Sequence, residues 1–291
     1  MKATIEYIRQ QLSPAYPAQE IESLIRILLN HVCHRQIHEI WSGKDTQILP
    51  NERKLIEEIV EGLLNCRPIQ YLLGETLFYG LRFLVNQHVL IPRPETEELV
   101  EWIVSDAQAM PSSKGLRILD IGTGSGCIAV SLAKHLPEAK VCGLDISEEA
   151  LNVAQQNAAI NQVTVEWVQR DILDNSGDND CGHEFDIIVS NPPYITPAEK
   201  ADMEPNVLDY EPHLALFTPP NQPLLFYERI ADYGKKYLCK QGSVYFETNA
   251  SFAGKVVELL SRKGYYNVVL RKDISGKERM VRGSGENKVQ T

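Results

Sequence analysis

Residues 116–126 read Leu-Arg-Ile-Leu-Asp-Ile-Gly-Thr-Gly-Ser-Gly, an apolar run that leads directly into glycines at alternate positions. A helical pattern follows from Cys127 through Lys134. A strand, a glycine loop and a helix in this order form the βα unit of a doubly wound α/β fold. Alternate glycines let the backbone turn tightly and approach a ligand, and the N–H groups at the helix start can meet a polar or anionic group. A tight turn without a ligand would use the same glycines, so the stretch predicts the fold more firmly than a site.

Acidic residues end the next two predicted strands. The strand Lys140–Leu144 leads into Asp145, roughly twenty residues past the glycine loop, where a carboxylate can accept both hydroxyls of a ribose. This spacing supports a cofactor that carries a nucleoside. Asp145 can also act as the N-terminal charge of the next helix, with Ser147 as its cap, and the two roles are compatible. A third strand, Thr164–Gln169, leads to Asp171-Ile172, an acid and an apolar residue that could bind the amine and the face of an adenine.

A second motif, Asn191-Pro192-Pro193-Tyr194, directly follows the apolar run Phe185–Ser190, which is typical of a buried parallel strand. Open α/β sheets bind ligands outside the carboxyl ends of their strands, so the motif faces the predicted crevice. The Asn191 side chain and the Pro192 carbonyl offer two acceptors, which match the two hydrogens of a planar –NH2 group, and the Tyr194 ring could stack on that plane. The alternative is a rigid turn that ends the strand.

Three segments precede the glycine loop. Residues 4–66 carry helical apolar faces separated by prolines, which predicts a small helical bundle. Residues 70–89 change to aromatic and β-branched residues, which is typical of a short strand pair. The run Ile91-Pro92-Arg93-Pro94-Glu95-Thr96-Glu97 then enters an amphipathic helix. Thr96 or Glu95 could cap or charge-stabilise that helix, and a loop so rigid and polar could equally border the active site.

Beyond Tyr194 the sequence predicts a proline-rich, irregular segment up to Pro223 that lies over the substrate cleft. Alternating helices and strands then complete the sheet, with Gly276 in the turn of the final hairpin. We expect residues 284–291 to fray. The predicted elements are a helix Leu224–Tyr237, a strand Ser243–Glu247, a helix Ala250–Lys263 and a strand pair Asn267–Arg271 and Met280–Arg282.

The composition sets limits on partners and location. The 291 residues are 43% hydrophobic and 23% charged, with a formal net charge of −10, which argues against a broad basic footprint for duplex nucleic acid. Six cysteines without a C-x-x-C pair, Cys181 among them, are typical of a reduced, cytosolic protein. The cluster His31, Cys33, His34 and His38 matches no usual zinc spacing, so we predict no metal site. Without a signal-like N-terminus or an apolar run of membrane-spanning length, the sequence predicts a cytoplasmic protein.

These motifs together resemble a known enzyme class. The order Asp120-x-Gly122-x-Gly124-x-Gly126, Asp145 and Asn191-Pro192-Pro193-Tyr194 resembles the class I methyltransferases that depend on S-adenosylmethionine. The last motif narrows the resemblance to enzymes that methylate a planar nitrogen, either in adenine or cytosine or in protein glutamine. The N-terminal helices and three further runs are similar to the protein-(glutamine) N5-methyltransferases of peptide chain release factors, the HemK/PrmC family. These runs are Arg67-Pro68-Ile69-Gln70-Tyr71-Leu72-Leu73-Gly74, Pro92-Arg93-Pro94-Glu95-Thr96-Glu97 and Glu211-Pro212-His213-Leu214-Ala215-Leu216.

The resemblance implies an α/β fold with two parts. A Rossmann-like class I methyltransferase domain would carry a doubly wound, mostly parallel seven-stranded sheet with a C-terminal antiparallel hairpin, and a small helical domain would precede it. Residues 1–69 would form the helical bundle that recognises the release factor, 70–94 a β-hairpin connector, and 95–291 the methyltransferase domain. The chain departs from the family at Pro219–Pro223 and at Glu247-Thr248-Asn249, which affects local loop geometry.

The resemblance also implies the activity and the roles of site residues. The cofactor would be S-adenosyl-L-methionine, with S-adenosyl-L-homocysteine as product, and the substrate the glutamine in the Gly-Gly-Gln loop of class I release factors, so that the enzyme modulates translation termination. The partners would include no membrane and no directly bound nucleic acid. Asn191, Pro192, Pro193 and Tyr194 would bind the substrate, and Asn191, Pro192 and Tyr194 would be catalytic through orientation rather than acid–base chemistry. The cofactor-binding residues would be Gly122, Thr123, Gly124, Ser125, Gly126, Asp145, Asp171, Ile172 and Asn191.

Three other functions stay open at this point. A glutamine methyltransferase of a ribosomal protein would share every catalytic feature. An N6-adenine methyltransferase would use the same acceptors on a flipped base, but it would be expected to show a basic groove or a target-recognition domain. A non-catalytic binding protein that kept the fold would be revealed by a lack of cofactor binding.

Overall fold

The computed structural model describes residues 1–34, 47–110, 115–174 and 184–285. Within these residues the chain separates into two compact units, Met1–Glu75 with Glu204–Tyr210 and Thr76–Met203 with Glu211–Thr291. The helices are α1 (Lys2–Leu12), α2 (Ala18–Cys33), α3 (Pro50–Leu64), α4 (Ile69–Leu73), α5 (Pro94–Ala109), α6 (Cys127–His135), α7 (Glu148–Ile160), α8 (Pro205–Leu208), α9 (His213–Leu216), α10 (Leu225–Tyr237) and α11 (Ala253–Arg262). The strands are β1 (Glu75–Phe78), β2 (Leu81–Leu84), β3 (Arg117–Ile121), β4 (Lys140–Asp145), β5 (Glu166–Gln169), β6 (Phe185–Ser190), β7 (Leu238–Glu247), β8 (Tyr266–Lys272) and β9 (Glu278–Ser284).

The first unit is built on the amphipathic helices α1, α2 and α3. Each helix turns one apolar face inward, and Ile8, Ile25 and Ile56 on these faces are fully buried. The Tyr16 hydroxyl donates to the Leu63 carbonyl over 2.7 Å, which ties the turn after α1 to the end of α3. The predicted helical bundle is therefore confirmed for the residues that the structure describes.

The residues considered as metal ligands are dispersed on helix α2 and beyond it. His31 and Cys33 lie in α2, and the His31 ring pairs with Glu75 at 2.9 Å. His38 and Cys181 lie outside the described residues. Within the described part of the chain, no three histidine, cysteine or acidic residues come together to form a metal site.

The region 70–89 contains the predicted strand pair, β1 and β2, and also a short helix that the sequence pattern did not indicate. This helix, α4, begins after Pro68 and ends at Gly74, whose φ is +74°. A proline before the first turn and a left-handed glycine after the last one are the usual boundary signals of a helix. The strand pair therefore begins later than the change in composition.

The second unit is organised around a seven-stranded sheet with the order β5-β4-β3-β6-β7-β9-β8. The strands from β5 to β7 are parallel, and β9 runs antiparallel to both β7 and β8. Chain order reverses between β3 and β6, so the loops that begin at Gly122 and Asn191 open at the topological switch point, where open α/β sheets bind ligands. This is the doubly wound, mostly parallel sheet with a C-terminal antiparallel hairpin that the sequence predicted.

Helices cover both faces of this sheet because its central strands are apolar on both sides. Ile118 and Ile187 pack in the core on one face, and Leu119 and Ile188 pack in the core on the other. At the carboxyl ends of β3 and β6, the Ser190 hydroxyl donates to the carbonyl of its register partner on β3 over 2.6 Å. The loops that carry the glycines and the Asn191 motif are therefore held side by side.

Several strand boundaries differ from those predicted, among them the strands of the final hairpin, which are β8 and β9. β5 begins at Glu166 rather than Thr164. β7 begins at Leu238 rather than Ser243, because Leu238 pairs with β6 before a register shift brings Ser243 into the regular ladder. A continuation across a register shift depends on the neighbouring strand, so the local pattern did not show it.

The segment after Tyr194 is more regular than predicted. It contains a 3-10 helix at Pro197–Asp202 and the short helices α8 and α9, which begin at or next to prolines. Proline is favoured at the first helical position, so the residues that suggested an irregular loop here start helices. At Pro219–Pro223 the chain makes a turn closed by a 3.1 Å bond from the N–H of Gln222 to the Pro219 carbonyl.

The predicted C-terminal hairpin extends through Ser284, and Gly276 in its turn has φ +81° as expected. Residues 286–291 of the predicted tail lie outside the described residues. Among the described helices, none combines the length and the apolar character needed to cross a membrane.

Candidate active site

A cavity of about 310 Å³ opens at the carboxyl ends of the parallel strands in the second unit. Its walls are mostly apolar, with Ile121, Leu144 and Ile172 among them. Gly126 and Tyr194 are not among the residues that line it. The other predicted site residues meet in this cavity: Gly122, Thr123, Gly124, Ser125, Asp145, Asp171, Ile172, Asn191, Pro192 and Pro193.

The glycine loop uses two kinds of glycine. Gly122 and Gly124 have φ of +71° and +54°, and a side chain added to either would meet nothing within 4 Å, so their backbone conformation is what requires glycine. Gly126 also has a positive φ, and a Cβ there would lie 3.0 Å from the Cβ of Ala154 and 3.2 Å from the Trp167 ring. The first two glycines shape the surface of the cavity, and the third allows α6 to start close to α7.

Asn157 holds this loop in place from behind. Its fully buried carboxamide accepts from the N–H of Leu84 at 2.6 Å and donates to the carbonyl of Ser125 at 2.9 Å. One side chain of α7 thus joins strand β2 to the glycine loop. The sequence analysis did not identify this residue, because nothing local separates it from an ordinary helical asparagine.

Asp145 lies at the end of β4 with only 9% of its surface exposed. Its Oδ2 accepts the N–H of Gly124 at 2.8 Å and its Oδ1 accepts the N–H of Ser147 at 3.0 Å. Burial raises the pKa of Asp145, and these N–H bonds oppose the rise. The Ser147 hydroxyl also accepts from the N–H of Ala150 at 3.1 Å, so the prediction that Ser147 caps α7 is confirmed.

Asp120 supports the loop from below the cavity. Its Oδ2 accepts the Thr123 hydroxyl at 2.6 Å and the N–H of Ala129 at 3.2 Å. Its Oδ1 is buried and has no hydrogen-bond partner among the residues that the structure describes. Burial raises the pKa of Asp120 from 3.8 to about 7. The carboxyl group thus joins the loop to α6, and its burial disfavours the charged form.

The Asn191 motif is connected to two residues that lie far from it in sequence. The Asn191 Nδ2 donates to the Thr96 hydroxyl oxygen at 3.3 Å, and the Thr96 hydroxyl donates to Glu247 Oε2 at 2.5 Å. The Tyr194 hydroxyl donates to Glu247 Oε1 at 3.4 Å. Burial, followed by the Glu247 charge, raises the pKa of Tyr194. Tyr194 thus presents its hydroxyl to a buried carboxylate.

The interpretation of Thr96 as a helix cap is wrong. α5 begins at Pro94 with Arg93 as its N-cap residue, and the Thr96 hydroxyl is committed to Glu247 in the second unit's core. Glu95 does lie in the first turn, where an acidic side chain suits the helix dipole. Pro92, Arg93 and Thr96 line the cavity, so this loop borders the candidate site.

Arg93 is fixed at the cavity wall by a buried acid. Its Nη2 lies 2.6 Å from Glu211 Oε1, and Glu211 Oε2 accepts the N–H of Ile91 at 3.3 Å. Burial raises the pKa of Glu211, and the Arg93 charge opposes the rise. The loop before α5 is thereby anchored to the segment that precedes α9.

Asp171 and Ile172 follow β5 as predicted, and both line the cavity. Asp171 Oδ1 accepts the N–H of Leu173 at 2.8 Å, which closes a tight turn. The Leu173 carbonyl accepts from Arg229 Nη2 at 3.0 Å, which anchors the turn to α10. The turn places the half-buried Ile172 against the cavity.

Sequence reasoning assigned no site role to Glu247, to Glu211 or to the cavity-lining residues Gln87, His88, Leu214 and Phe226. A signal for Glu247 was present, because an acid at the end of a buried strand is the feature that identified Asp145. The others belong to loops and helices that are distant in sequence, and only the folded chain brings them to the cavity.

The fold and the site define a class I methyltransferase. Two family models match the chain, the methyltransferase small domain over residues 106–208 and the PrmC N-terminal domain over residues 3–74. The chain is 45% identical to the release factor glutamine methyltransferase of Flavobacterium psychrophilum over 94% of this chain and 95% of the relative. It is 43% identical to that of Bacteroides thetaiotaomicron over 97% of this chain and 99% of the relative. The chain belongs to the release factor glutamine methyltransferase family.

A solved structure shows the same fold at lower identity. The hMettl16 catalytic domain, in complex with MAT2A 3'UTR hairpin 6, superimposes with a TM-score of 0.55 at 17% identity, covering 84% of this chain and 89% of that one. This likeness concerns the fold alone. The resemblance inferred from the motifs, to HemK/PrmC-type glutamine methyltransferases, is confirmed by the family models and the curated relatives.

Proposed function

We propose that this enzyme transfers a methyl group from S-adenosyl-L-methionine to the side-chain nitrogen, N5, of the glutamine in the Gly-Gly-Gln loop of class I release factors. The observation that carries the proposal is the orientation of Asn191. Because its Nδ2 donates to Thr96, its Oδ1 is left as an acceptor in a cavity that also contains the glycine loop and Asp145. Family membership supports a release factor glutamine as the substrate. The proposed consequence is modulation of translation termination.

The residues present fit the proposed cofactor. Gly122 and Gly124 leave open space where side chains would project, Asp145 offers a carboxylate to two ribose hydroxyls, and the wall with Asp171 and Ile172 suits an adenine. Thr123 and Ser125 complete the loop, and Gly126 supports it through packing. When bound, S-adenosyl-L-methionine supplies a sulfonium methyl group, and S-adenosyl-L-homocysteine is the product.

The substrate amide would be held by Asn191 Oδ1 and the backbone carbonyl of Pro192. Both are acceptors, so they match the two N–H groups of a glutamine carboxamide and aim its nitrogen. They would also stabilise the positive charge that develops on those hydrogens during transfer. Pro193 keeps the motif rigid. Tyr194 is not among the cavity-lining residues, so it would support the motif through its bond to Glu247 instead of stacking on the amide. The amide nitrogen would release one proton to water after it gains the methyl group, so we assign no residue to acid–base catalysis. Asn191, next to both the loop and the substrate, would contact cofactor and substrate.

We also propose a division of labour along the chain. Residues 1–69 would recognise the release factor and residues 70–94 would connect the two domains. Residues 95–291 would catalyse the methyl transfer. The match of residues 3–74 to the PrmC N-terminal domain supports a role specific to this family. The net charge of −10 favours a basic protein partner over nucleic acid. The expectation of a cytoplasmic location follows from this substrate.

The test is mass spectrometry of a purified class I release factor after incubation with the enzyme and S-adenosyl-L-methionine. We expect one added methyl group on the glutamine of the Gly-Gly-Gln peptide. Asn191→Ala should lower the turnover number by roughly 100- to 1000-fold, as the loss of a preorganised hydrogen-bonding group does elsewhere. Asn152→Ala, on the exposed face of α7, is the matched control and should leave turnover unchanged.

Other results would change the proposal in defined ways. Cofactor binding without methylation of the release factor would contradict the substrate and direct the search first to glutamines of ribosomal proteins and then to adenine N6 in nucleic acid. Failure to bind the cofactor would contradict the enzymatic function itself. Full activity of Asn191→Ala would refute the role of Asn191 while leaving the reaction intact.

A further inference from the structure

We infer that Thr96 and Glu247 are positioning residues for the methyl transfer, because together they determine which way the Asn191 carboxamide faces. The inference rests on the proposed function, in which Asn191 must present an acceptor to the substrate. Neither residue needs to touch the substrate. Their effect would pass through two hydrogen bonds to the side chain that does.

The three residues come from different elements of the second unit. Thr96 is in the first turn of α5, Asn191 follows β6, and Glu247 ends β7. Thr96 is 2% exposed and Glu247 is 1% exposed. The 2.5 Å bond from Thr96 to Glu247 is therefore shielded from water, where hydrogen bonds orient their partners most strongly. The 3.3 Å bond from Asn191 Nδ2 to Thr96 is part-buried at the cavity wall.

The direction of these bonds follows from the chemistry of the last member. An ionised carboxylate only accepts, so Thr96 must donate its single hydroxyl hydrogen to Glu247. The Thr96 oxygen can then only accept, and the Asn191 group that faces it must be the –NH2 end. This leaves Asn191 Oδ1 for the substrate. The opposite orientation would set the Asn191 –NH2 group against one N–H of the glutamine amide, which is repulsive.

Glu247 is held for this task by further neighbours. Tyr194 donates to its second oxygen at 3.4 Å, and the Tyr227 hydroxyl donates to its backbone carbonyl at 3.2 Å. The ionisable groups that face the Glu247 carboxylate from the surrounding elements are Tyr194 and Tyr227, with Arg279 from β9, Glu95 from α5 and Cys127 from α6. Of the neighbouring groups, Thr96 donates to one carboxylate oxygen of Glu247 and Tyr194 donates to the other.

The experiment compares Thr96→Val with Thr96→Ser. Valine has nearly the shape of threonine but lacks the hydroxyl, whereas serine keeps it. For release-factor methylation we expect Thr96→Val to lower kcat by about 10- to 100-fold with little change in KM, and Thr96→Ser to retain at least about half of the wild-type kcat. The near-ultraviolet circular dichroism spectrum should be the same in all three proteins, which would show that the fold is intact. A wild-type kcat in Thr96→Val would overturn the inference.

A second variant separates positioning from support of the fold. Glu247→Gln places a donor and an acceptor where two acceptors stood, so the direction of the bonds is no longer imposed. Burial raises the pKa of Glu247, and the bond from Thr96 opposes the rise. In the wild type kcat should therefore fall as pH decreases through that raised pKa, because the protonated carboxyl group can donate. Glu247→Gln should have a reduced kcat without this acidic limb. The same acidic limb in the variant would contradict the inference.

A readout that needs no substrate distinguishes this inference from the proposed function. In protein labelled with 15N-asparagine, the Asn191 side-chain amide is assigned by its absence in Asn191→Ala. Its hydrogen-bonded proton should move upfield in Thr96→Val and stay in place in Thr96→Ser. An unmoved resonance in Thr96→Val refutes the positioning role. A moved resonance in an enzyme that does not methylate release factors upholds it and contradicts only the proposed substrate.

Discussion

Asp145 accepts the N–H groups of Gly124 and Ser147 on its two carboxylate oxygens. Each carboxylate oxygen has room for a further bond, so these contacts orient the group without exhausting it. The residue thus joins the glycine loop to the start of α7 and keeps an anionic edge toward the cavity. A single side chain supplies the loop geometry and a binding group at the same time.

We predict that Asp145→Asn weakens cofactor binding by about 10- to 100-fold, because a hydrogen bond to a charged acceptor contributes about 1.5–3 kcal/mol. Isothermal titration calorimetry with S-adenosyl-L-homocysteine measures the change. Asp186→Asn is the matched control, since Asp186 also accepts a backbone N–H, from Arg117 at 2.8 Å, but lies in β6 away from the cavity lining. Equal dissociation constants for wild type and Asp145→Asn would rule out the ribose role.

At the scale of elements, the loop between β3 and α6 packs closely against its neighbours. A Cβ added to Gly126 would lie 3.2 Å from the Trp167 ring on β5, and a Cβ added to Gly143 would lie 2.4 Å from the same ring. Two glycines on adjacent elements thus make room for one large ring. The close packing keeps the start of α6 at the cavity and leaves little space for adjustment.

We predict that Gly126→Ala lowers the unfolding free energy of the second unit by about 1–3 kcal/mol, because the added methyl group is both overpacked and strained at φ +77°. Gly254→Ala is the control. Gly254 lies in α11, and an added Cβ there meets nothing within 4 Å, so alanine should stabilise by at most about 1 kcal/mol. Urea unfolding followed by tryptophan fluorescence would show the difference. An unchanged midpoint for Gly126→Ala would disprove the packing argument.

At the scale of the whole molecule, the second unit buries several acids near one edge of its sheet. Asp120, Asp145, Glu211 and Glu247 are each at most 9% exposed, and burial raises the pKa of all four. A raised pKa means that the folded protein binds more protons than the unfolded chain just above the ordinary carboxyl range. These groups therefore make the fold less stable as pH rises through that window. Such a loss of stability is expected at a functional site, which needs buried charged groups that a purely structural core would exclude.

We predict a pH dependence that can be assigned to Asp120. Its pKa rises from 3.8 to about 7, so its contribution to stability is fully present below about pH 4 and is lost as pH increases to about 7. The loss amounts to at most about 4 kcal/mol. As the pH increases across this range, the stability of Asp120→Asn should therefore increase steadily relative to that of the wild type. Urea unfolding at several pH values tests this, and parallel stability curves for the two proteins would contradict it.

Much of the architecture was accessible from local patterns. The apolar run before Gly122, the acid at Asp145 and the motif at Asn191 each mark the end of a buried strand, and βα alternation between them leaves few possible topologies. The helix start signalled by Ser147 and the hairpin turn signalled by Gly276 were also readable, because caps and turns depend on neighbouring residues. Boundaries that depend on a partner strand, as at Leu238, were not.

By itself the sequence determined the fold class, the strand ends that build the site and the family, because periodicity, glycine positions and motif order are properties of the chain. Only the tertiary structure decided that Thr96 turns to Glu247 instead of capping its helix, and that Asn191 donates to Thr96. It also decided that Tyr194 is not among the residues that line the cavity. Hydrogen-bond direction depends on which donors and acceptors meet, and these residues, more than fifty positions apart where they bond, meet only after the sheet has assembled.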